Sequence, residues 1–267
     1  MISIITPTFN SSNTITKNIQ SVIAQSFKEF EHIIVDNAST DDTITKIESL
    51  YKEFGLFEKL KIISKKDNGI SDAFNKGIQA SKGEIIAILN GDDEYFDNSI
   101  FERVIKEFEN NNILIVHGDV LFTDSLFGSN IRFPKECPAS GAILFNHPAM
   151  FIRRSVYDKL GLYNENFRIA MDTEYFYRLN KAYKNTKDIF SYINDKPFAI
   201  MNAGGASWNH ELRGIKEMRN SLKLHGYWNF AAKRYYFARI IRTRIKQILT
   251  FINLNFIVRI WRNYKWR

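Results

Sequence analysis

The chain has 267 residues, 45% hydrophobic and 14% aromatic, enough apolar material for one large domain or two small ones. A single cysteine, Cys137, excludes a disulfide framework and a Cys-based metal site. The formal net charge of +8 is uneven: residues 218–267 hold twelve Lys or Arg and no Asp or Glu, whereas residues 1–217 hold 25 basic and 29 acidic residues, so a mildly acidic body precedes a strongly basic tail.

In chain order, residues 2–6 form a short β-branched run ended by Pro7. Residues 14–25 have helical spacing through Ile15, Ile19, Val22 and Ile23. A second strand is expected over 31–35. A helix follows over 43–54, with Asp41 and Asp42 as capping candidates. Residues 60–64 predict a third strand, 71–81 a helix closed by Gly83, and 84–89 a fourth strand ending at Asn90-Gly91-Asp92-Asp93. Farther on, 113–117 reads as a strand and 127–140, with Pro134 and Pro138, as irregular. Helices are expected over 155–160 and 173–183, then a last strand over 198–201 before Gly204-Gly205-Ala206-Ser207. No basic stretch with a long apolar run opens the chain, and no stretch reaches about 18 uninterrupted apolar residues. Neither a secretory leader nor a spanning helix is expected.

Strands alternating with helices of similar length predict an α/β fold with a mostly parallel sheet covered on both faces. Ligands of such sheets bind beyond the carboxyl ends of the strands, where Asp36, Asp67 and Asp92 all fall. Asp is also common in turns, so solubilising turn residues are the plainer reading of each one. Asp92 and Asp93 adjoin after an apolar strand. Their mutual repulsion suits a divalent cation with oxygen ligands, Mg or Mn, and a diphosphate leaving group needs such a cation. A simple turn with a capping carboxylate fits the same four residues. The phosphate-binding patterns G-x-x-x-x-G-K-[ST] and G-x-G-x-x-G are missing, which disfavours P-loop kinases and ordinary dinucleotide dehydrogenases.

Six stretches together resemble the family 2 glycosyltransferases of GT-A fold, on the bacterial branch that builds surface polysaccharides such as O-antigen. They are ISIITPTFN (2–10), VDNASTDDT (35–43), DNGISDAFNKG (67–77), GEIIAILNGDD (83–93), HPAMFIRR (147–154) and AMDTEYFYRL (170–179), in the family's order. The resemblance implies an inverting transfer from a nucleotide-sugar donor, typically UDP-linked, to a hydroxyl of a glycan or lipid-linked acceptor. Asp36 matches the acid that hydrogen-bonds the base. Pro7 and Thr8 match the loop along the nucleoside, and Asp67 a residue lining that pocket. Asp92 matches the metal-binding acid of a D-x-D motif whose first position here is Asn90, and Asp93 matches an assisting acid at the metal or the donor sugar. Asp172 matches the catalytic base, with Met171 where the wider family often has Glu. An N-cap role for Asp172 is compatible with that one. Arg178 has two open roles, a phosphate contact or a helix brace. His210 matches a late residue that completes the metal shell or touches diphosphate, a structural or solvated role being its alternative. His147 is expected near the acceptor or in support of the fold.

In the tail, Ile241, Ile245, Ile248, Leu249, Ile252 and Phe256 recur at helical spacing, with Arg242 and Lys246 off that stripe. A basic amphipathic helix of this kind suits an anionic membrane interface. The other reading packs it on the body or on a second copy. The expected organisation is a catalytic domain over 1–217 and a basic helical tail over 218–267, cytoplasmic and peripheral on the inner face of the plasma membrane. Three rivals stand beside it. A nucleic-acid-binding protein would use the basic, aromatic tail with Trp261, Tyr264 and Trp266, but no nucleic-acid partner is expected. The others are a non-catalytic GT-A module, which Asn90 favours, and a nucleotidyltransferase, which would need a basic Gly-rich loop near the start.

Overall fold

A computed structural model describes residues 1–125, 128–183, 187–205 and 210–265. The first third alternates as its patterning predicts: β1 (Ile2–Thr8), α1 (Ile15–Ile23), β2 (Phe30–Asp36), α2 (Thr43–Glu53), β3 (Leu60–Ser64), α3 (Ile70–Ala80) and β4 (Ile85–Ile88). Then come β5 (Glu94–Tyr95), α4 (Ile100–Phe108), β6 (Ile115–Gly118), β7 (Val120–Thr123), β8 (Asn130–Arg132), β9 (Lys135–Glu136) and β10 (Ile143–Leu144). After β11 (Met150–Arg153) come α5 (Arg154–Leu160), α6 (Met171–Ala182), β12 (Phe190–Ile193), β13 (Ala199–Asn202), α7 (Glu211–Leu224), α8 (Phe230–Phe251) and α9 (Asn255–Lys265).

The main sheet has seven strands in the order β12-β6-β11-β4-β1-β2-β3. The strands β1 to β4 pair in parallel, whereas β11 runs antiparallel to both of its neighbours, β4 and β6. A smaller sheet, β5-β13-β7-β8, stands beside it. Ile2, Ile4 and Ile5 of β1 are all fully buried, as a central parallel strand covered on both faces requires. Alternation sends Ile5, Ile33 and Ile86 to a core shared with Phe74 of α3 and Tyr175 of α6. It sends Ile2, Ile4, Ile85 and Ala87 to a second core shared with Phe101 and Val104 of α4.

The helix α4 has no counterpart among the expected elements, although Ile100, Phe101, Val104 and Phe108 recur at helical spacing and are buried. The stretch expected to be irregular contains β8 and β9, and its first residue, Phe127, lies outside the described residues. The expected boundary at 217/218 falls inside α7. The break in charge is therefore not a break in fold. Tyr177 of α6 packs with Ile215 and Leu222 of α7 and with Ala232 and Tyr236 of α8 in a third core. Among the described residues, no helix is long and apolar enough to cross a membrane.

The close seat of α3 on β1 rests on Gly77, where a Cβ would lie 2.3 Å from Ile5 Cγ2. Alanine gains about 1 kcal/mol of helix propensity over glycine, but an overlap of that depth forces backbone movement. Gly77→Ala is expected to cost about 1–3 kcal/mol net. Urea denaturation checks this, and a midpoint at or above the wild-type value would contradict the packing.

Candidate active site

Strand register assembles the first part of the site. The pairing sets Thr8 beside Asp36, and Asp36 beside Ser64, at the carboxyl ends of three neighbouring parallel strands. Asp36 is fully buried. Thr8 Oγ1 donates to its Oδ1 at 3.0 Å and Ser64 Oγ to its Oδ2 at 2.7 Å. Ser39 adds its backbone N–H at 2.9 Å and its hydroxyl at 2.5 Å. Four donors match the acceptor capacity of the carboxylate, so none of its lone pairs is buried without a partner.

The loops beyond the strands are tied together in the same way. Asn10 and Ala38 take left-handed backbone conformations. Asn10 receives the Thr40 N–H on its side-chain oxygen at 2.9 Å. The Asp67 N–H donates to Asn37 Oδ1 at 2.8 Å, and Asp67 Oδ1 accepts from the Gly69 N–H at 2.8 Å. Gly69 has φ 122°, a value that favours glycine. Burial chiefly raises the Asp67 carboxyl above the usual range, and the charges of Asp72 and Asp36 add to it.

The second part lies after β4. The Asp93 N–H closes a turn onto the Asn90 carbonyl at 2.9 Å. From α1, Asn18 Nδ2 donates to the carbonyls of Asn90 and Asp93 at 2.8 and 2.9 Å. Sequence reading missed Asn18, whose signal is a polar residue within the apolar stripe of α1. Asp92 is half-buried, and burial raises its carboxyl, with His147 opposing that effect. Asn202 Nδ2 donates to the Asp92 carbonyl at 2.8 Å, and Gly205 packs so tightly that a Cβ there would lie 2.7 Å from Asp92 Oδ2. Asp93, expected to assist at the metal or the donor sugar, is buried beneath the turn and accepts from Asn90 Nδ2 at 3.2 Å. Burial first and Asp92 second hold its carboxyl well above the ordinary range.

The third part depends on the reversed direction of β11. An antiparallel strand places its start at the edge where its parallel neighbours end. With Phe151 paired to Ala87, the residues before Met150 stand level with those after Ile88. His147 therefore meets Asn90, with 3.0 Å between His147 Nε2 and Asn90 Nδ2. The amide nitrogen donates in this contact, which leaves Nδ1 on the other side of the ring. That nitrogen faces Asp172 Oδ2 at 3.7 Å. Asp172 stands in the first turn of α6, its Oδ1 accepting from the Thr173 N–H at 2.6 Å.

The acids thus form one connected edge: Asp36 touches Thr8, Thr8 abuts Gly91, and the turn reaches Asp172 through Asn90 and His147. Two expected residues stand apart. Arg178 gives Nε and Nη2 to Glu174, Nη1 to the Leu160 carbonyl and Nη2 also to the Leu162 carbonyl, the last two at 2.8 Å. Of its two open roles, these contacts are those of a brace for α6. His210 is exposed at the start of α7, and among the described residues no hydrogen bond links its ring to Asp92 or Asn90. Ala206 and Ser207, which precede it, lie outside the described residues.

Among the described residues, no three His, Cys, Asp or Glu side chains form a ready metal cage. The donor set suits a hard cation only in part: one carboxylate at Asp92 and one amide oxygen at Asn90, with the remaining oxygens to come from a bound diphosphate.

The family model described as glycosyl transferase family 2 matches residues 3–161. A PGL/p-HBAD biosynthesis glycosyltransferase of Mycobacterium tuberculosis is 30% identical over 214 residues, 78% of this chain and 79% of that protein. An uncharacterized glycosyltransferase of Rickettsia prowazekii is 26% identical over 198 residues, 68% of this chain and 60% of that one. The fold is similar to that of S. aureus TarS 1–349 in complex with UDP-GlcNAc, with TM-score 0.66, 20% identity, and 84% of this chain aligned to 65% of that one. It is also similar to the mannosyltransferase PcManGT from Pyrobaculum calidifontis in complex with GDP-Man and Mn2+, with TM-score 0.63, 15% identity, and 83% of this chain aligned to 63% of that one. The chain spans less than two thirds of each of these two solved chains.

A carboxyl whose folded-state value is raised favours the folded state while protonated, and that contribution is lost as pH rises through the raised value. Asp93→Asn is therefore expected to raise the melting temperature of the metal-free protein more at about pH 8 than at about pH 5. Scanning fluorimetry at the two pH values checks it. An equal shift, or a larger one in acid, would contradict the burial cost assigned to Asp93.

Proposed function

The chain is a glycosyltransferase, a member of glycosyl transferase family 2, and we propose that it moves a sugar, with inversion, from a UDP-linked donor to a hydroxyl of a glycan or lipid-linked acceptor in surface-polysaccharide synthesis. One observation carries this reading. Asp172 Oδ2, partly exposed, lies on the same connected edge as Asp92 and Asp36.

The nucleoside lies along Pro7 and Thr8, between Asp36 and Asp67. The imide N–H of uracil takes the place of the rotatable Ser39 hydroxyl on Asp36 Oδ1, leaving the other donors undisturbed. Asp92 and Asn90 Oδ1 hold a Mg or Mn ion together with diphosphate oxygens. That ion, when bound, offsets the charge that develops on the leaving group. Asp172 Oδ2 takes the proton of the acceptor hydroxyl as its oxygen attacks the anomeric carbon from the side opposite the diphosphate. One displacement inverts the anomeric centre. The UDP-GlcNAc held by one solved structure of similar fold supports a UDP-linked donor, and the Mn2+ beside GDP-Man in the other supports a divalent cation.

A panel of nucleotide sugars, assayed for nucleotide release with Mg or Mn present, tests this directly. Turnover of at least one UDP-sugar is expected, abolished by EDTA and restored by added metal. Asp172→Asn is expected to lower the rate about 10²–10⁴-fold with nucleotide affinity intact. Near wild-type turnover in that variant would remove Asp172 from the mechanism.

The acceptor is reached at the inner face of the plasma membrane through α8 and α9. While Tyr236 and Ala232 face the body, Phe237, Ile248 and Phe251 on the outward side are 68%, 59% and 88% exposed, and Arg234, Arg242 and Arg244 lie among them. Basic residues beside an exposed aliphatic stripe suit anionic lipid, whereas a phosphate backbone has no use for the stripe. The double substitution Ile248→Glu and Phe251→Glu leaves the inner face intact. It is expected to weaken partition onto phosphatidylglycerol-containing vesicles at least about tenfold, given the apolar area each residue would otherwise bury. Unchanged sedimentation with vesicles would overturn the membrane reading.

A further inference from the structure

Helix α6 carries the proposed base in its first turn, yet it begins without a cap of its own. Its N-cap position is Ala170, which has no side chain able to accept a hydrogen bond, and Asp172 turns its Oδ1 to the adjacent Thr173 N–H. The segment that leads into α6 is held from another helix. Glu217 of α7, 8% exposed, places Oε2 at 2.9, 2.7 and 3.0 Å from the backbone nitrogens of Arg168, Ile169 and Ala170. Three consecutive N–H groups converge on one carboxylate oxygen, the arrangement of a backbone nest. Oε1 is held in turn by Arg213 Nε at 3.1 Å. The two helices also meet closely, since a Cβ on Gly214 would come within 3.1 Å of Ile169 Cγ2.

We propose that Glu217 is a positioning residue for the transfer reaction: from α7 it holds the three backbone N–H groups that lead into α6 and so fixes the loop that delivers Asp172 to the acceptor hydroxyl. This rests on the reading of Asp172 as base. Among the described residues Glu217 bonds neither the nucleotide end of the site nor the Asn90–Asp93 turn, and the residues it holds lead directly to Asp172, so its main influence falls on the chemical step. A negative charge at the start of α6 also matches the helix dipole. A neutral amide in its place offers a single, weaker carbonyl acceptor, and alanine offers none.

Glu217→Gln and Glu217→Ala are compared with the wild type and with Asp172→Asn, all in the full chain. The probe is the UDP-sugar turned over in the donor panel, with UDP itself for affinity. The expected result is kcat lowered about 10- to 100-fold in Glu217→Ala and less in Glu217→Gln, while KM for the donor and Kd for UDP stay within about twofold. Combined with Asp172→Asn, Glu217→Ala is expected to add almost nothing, because both act on one group. Hydrogen exchange supplies a readout independent of turnover: the amides of residues 168–170 are expected to exchange at least about tenfold faster in Glu217→Gln, with those of β1 and β2 unchanged. Unaltered exchange at 168–170 would overturn that hold on the loop. Faster exchange with wild-type kcat would overturn its catalytic consequence, and so would a fall in UDP affinity with kcat intact. Should Asp172→Asn itself remain active, the base assignment fails, and the exchange result still decides whether Glu217 holds the loop.

Discussion

A carboxylate with no contact to solvent has to be met by donors, and at Asp36 the sheet itself supplies them. Parallel pairing puts Thr8 on one side and Ser64 on the other at the same level, and the loop after β2 folds back to add Ser39. A slip of one residue in either pairing would carry a hydroxyl to the opposite face of the sheet and leave the charge unmatched. The register of the central strands and the full pairing of Asp36 are therefore a single condition. The rest of the edge inherits it, because the loops after β1 and β2 are sewn to each other through Asn10, Thr40 and Asn37, and these loops form the wall of the proposed nucleoside site.

The same logic is relaxed at the next acids along the edge. Asp92 and Asp93 are less well supplied, and burial pushes both carboxyls upward. Asn90 at the head of the turn lowers the local charge by one relative to a D-x-D sequence, and it uses its amide hydrogens on Asp93 and His147. The turn is thus electrostatically unfinished, while the Asp36 pocket is complete. That difference suits a site in which the nucleoside end is preformed and the cation arrives with the diphosphate.

Residues 1–93 are legible in sequence because their periodicities are local. Isoleucine runs of strand length separated by helical stripes leave few alternatives, and strand-end acids follow from the topology. The features that escape sequence depend on partners distant along the chain. Asn18 becomes significant only when α1 lies over the turn after β4. His147 has two open roles in sequence because the direction of β11 is not written in its own four residues. Arg178 carries the charge of a phosphate ligand, and only the nearby carbonyls of Leu160 and Leu162 show it to be a brace. Arg154, in the HPAMFIRR stretch, likewise gives Nε and Nη2 to the Gly83 carbonyl at 3.0 and 2.7 Å. The division at 217/218 tracks charge alone. Helix α7 ignores it, sending Glu217 to the body and Glu211 to Thr243 and Lys246 of α8.

The reversed strand also has a consequence for biosynthesis. In sequence β11 comes after β6, but in space it fills the slot between β6 and β4. Until residues 150–153 have left the ribosome, β4 keeps one unpaired edge, and β6, whose neighbours β11 and β12 both come later in the chain, has no partner in the main sheet. Those edges offer a template to any extended segment that reaches them first. The middle of the sheet closes only when β11 joins β6 to β4, so between residues 118 and 150 synthesis leaves both of those apolar strands open, and a chaperone would have most to shield there.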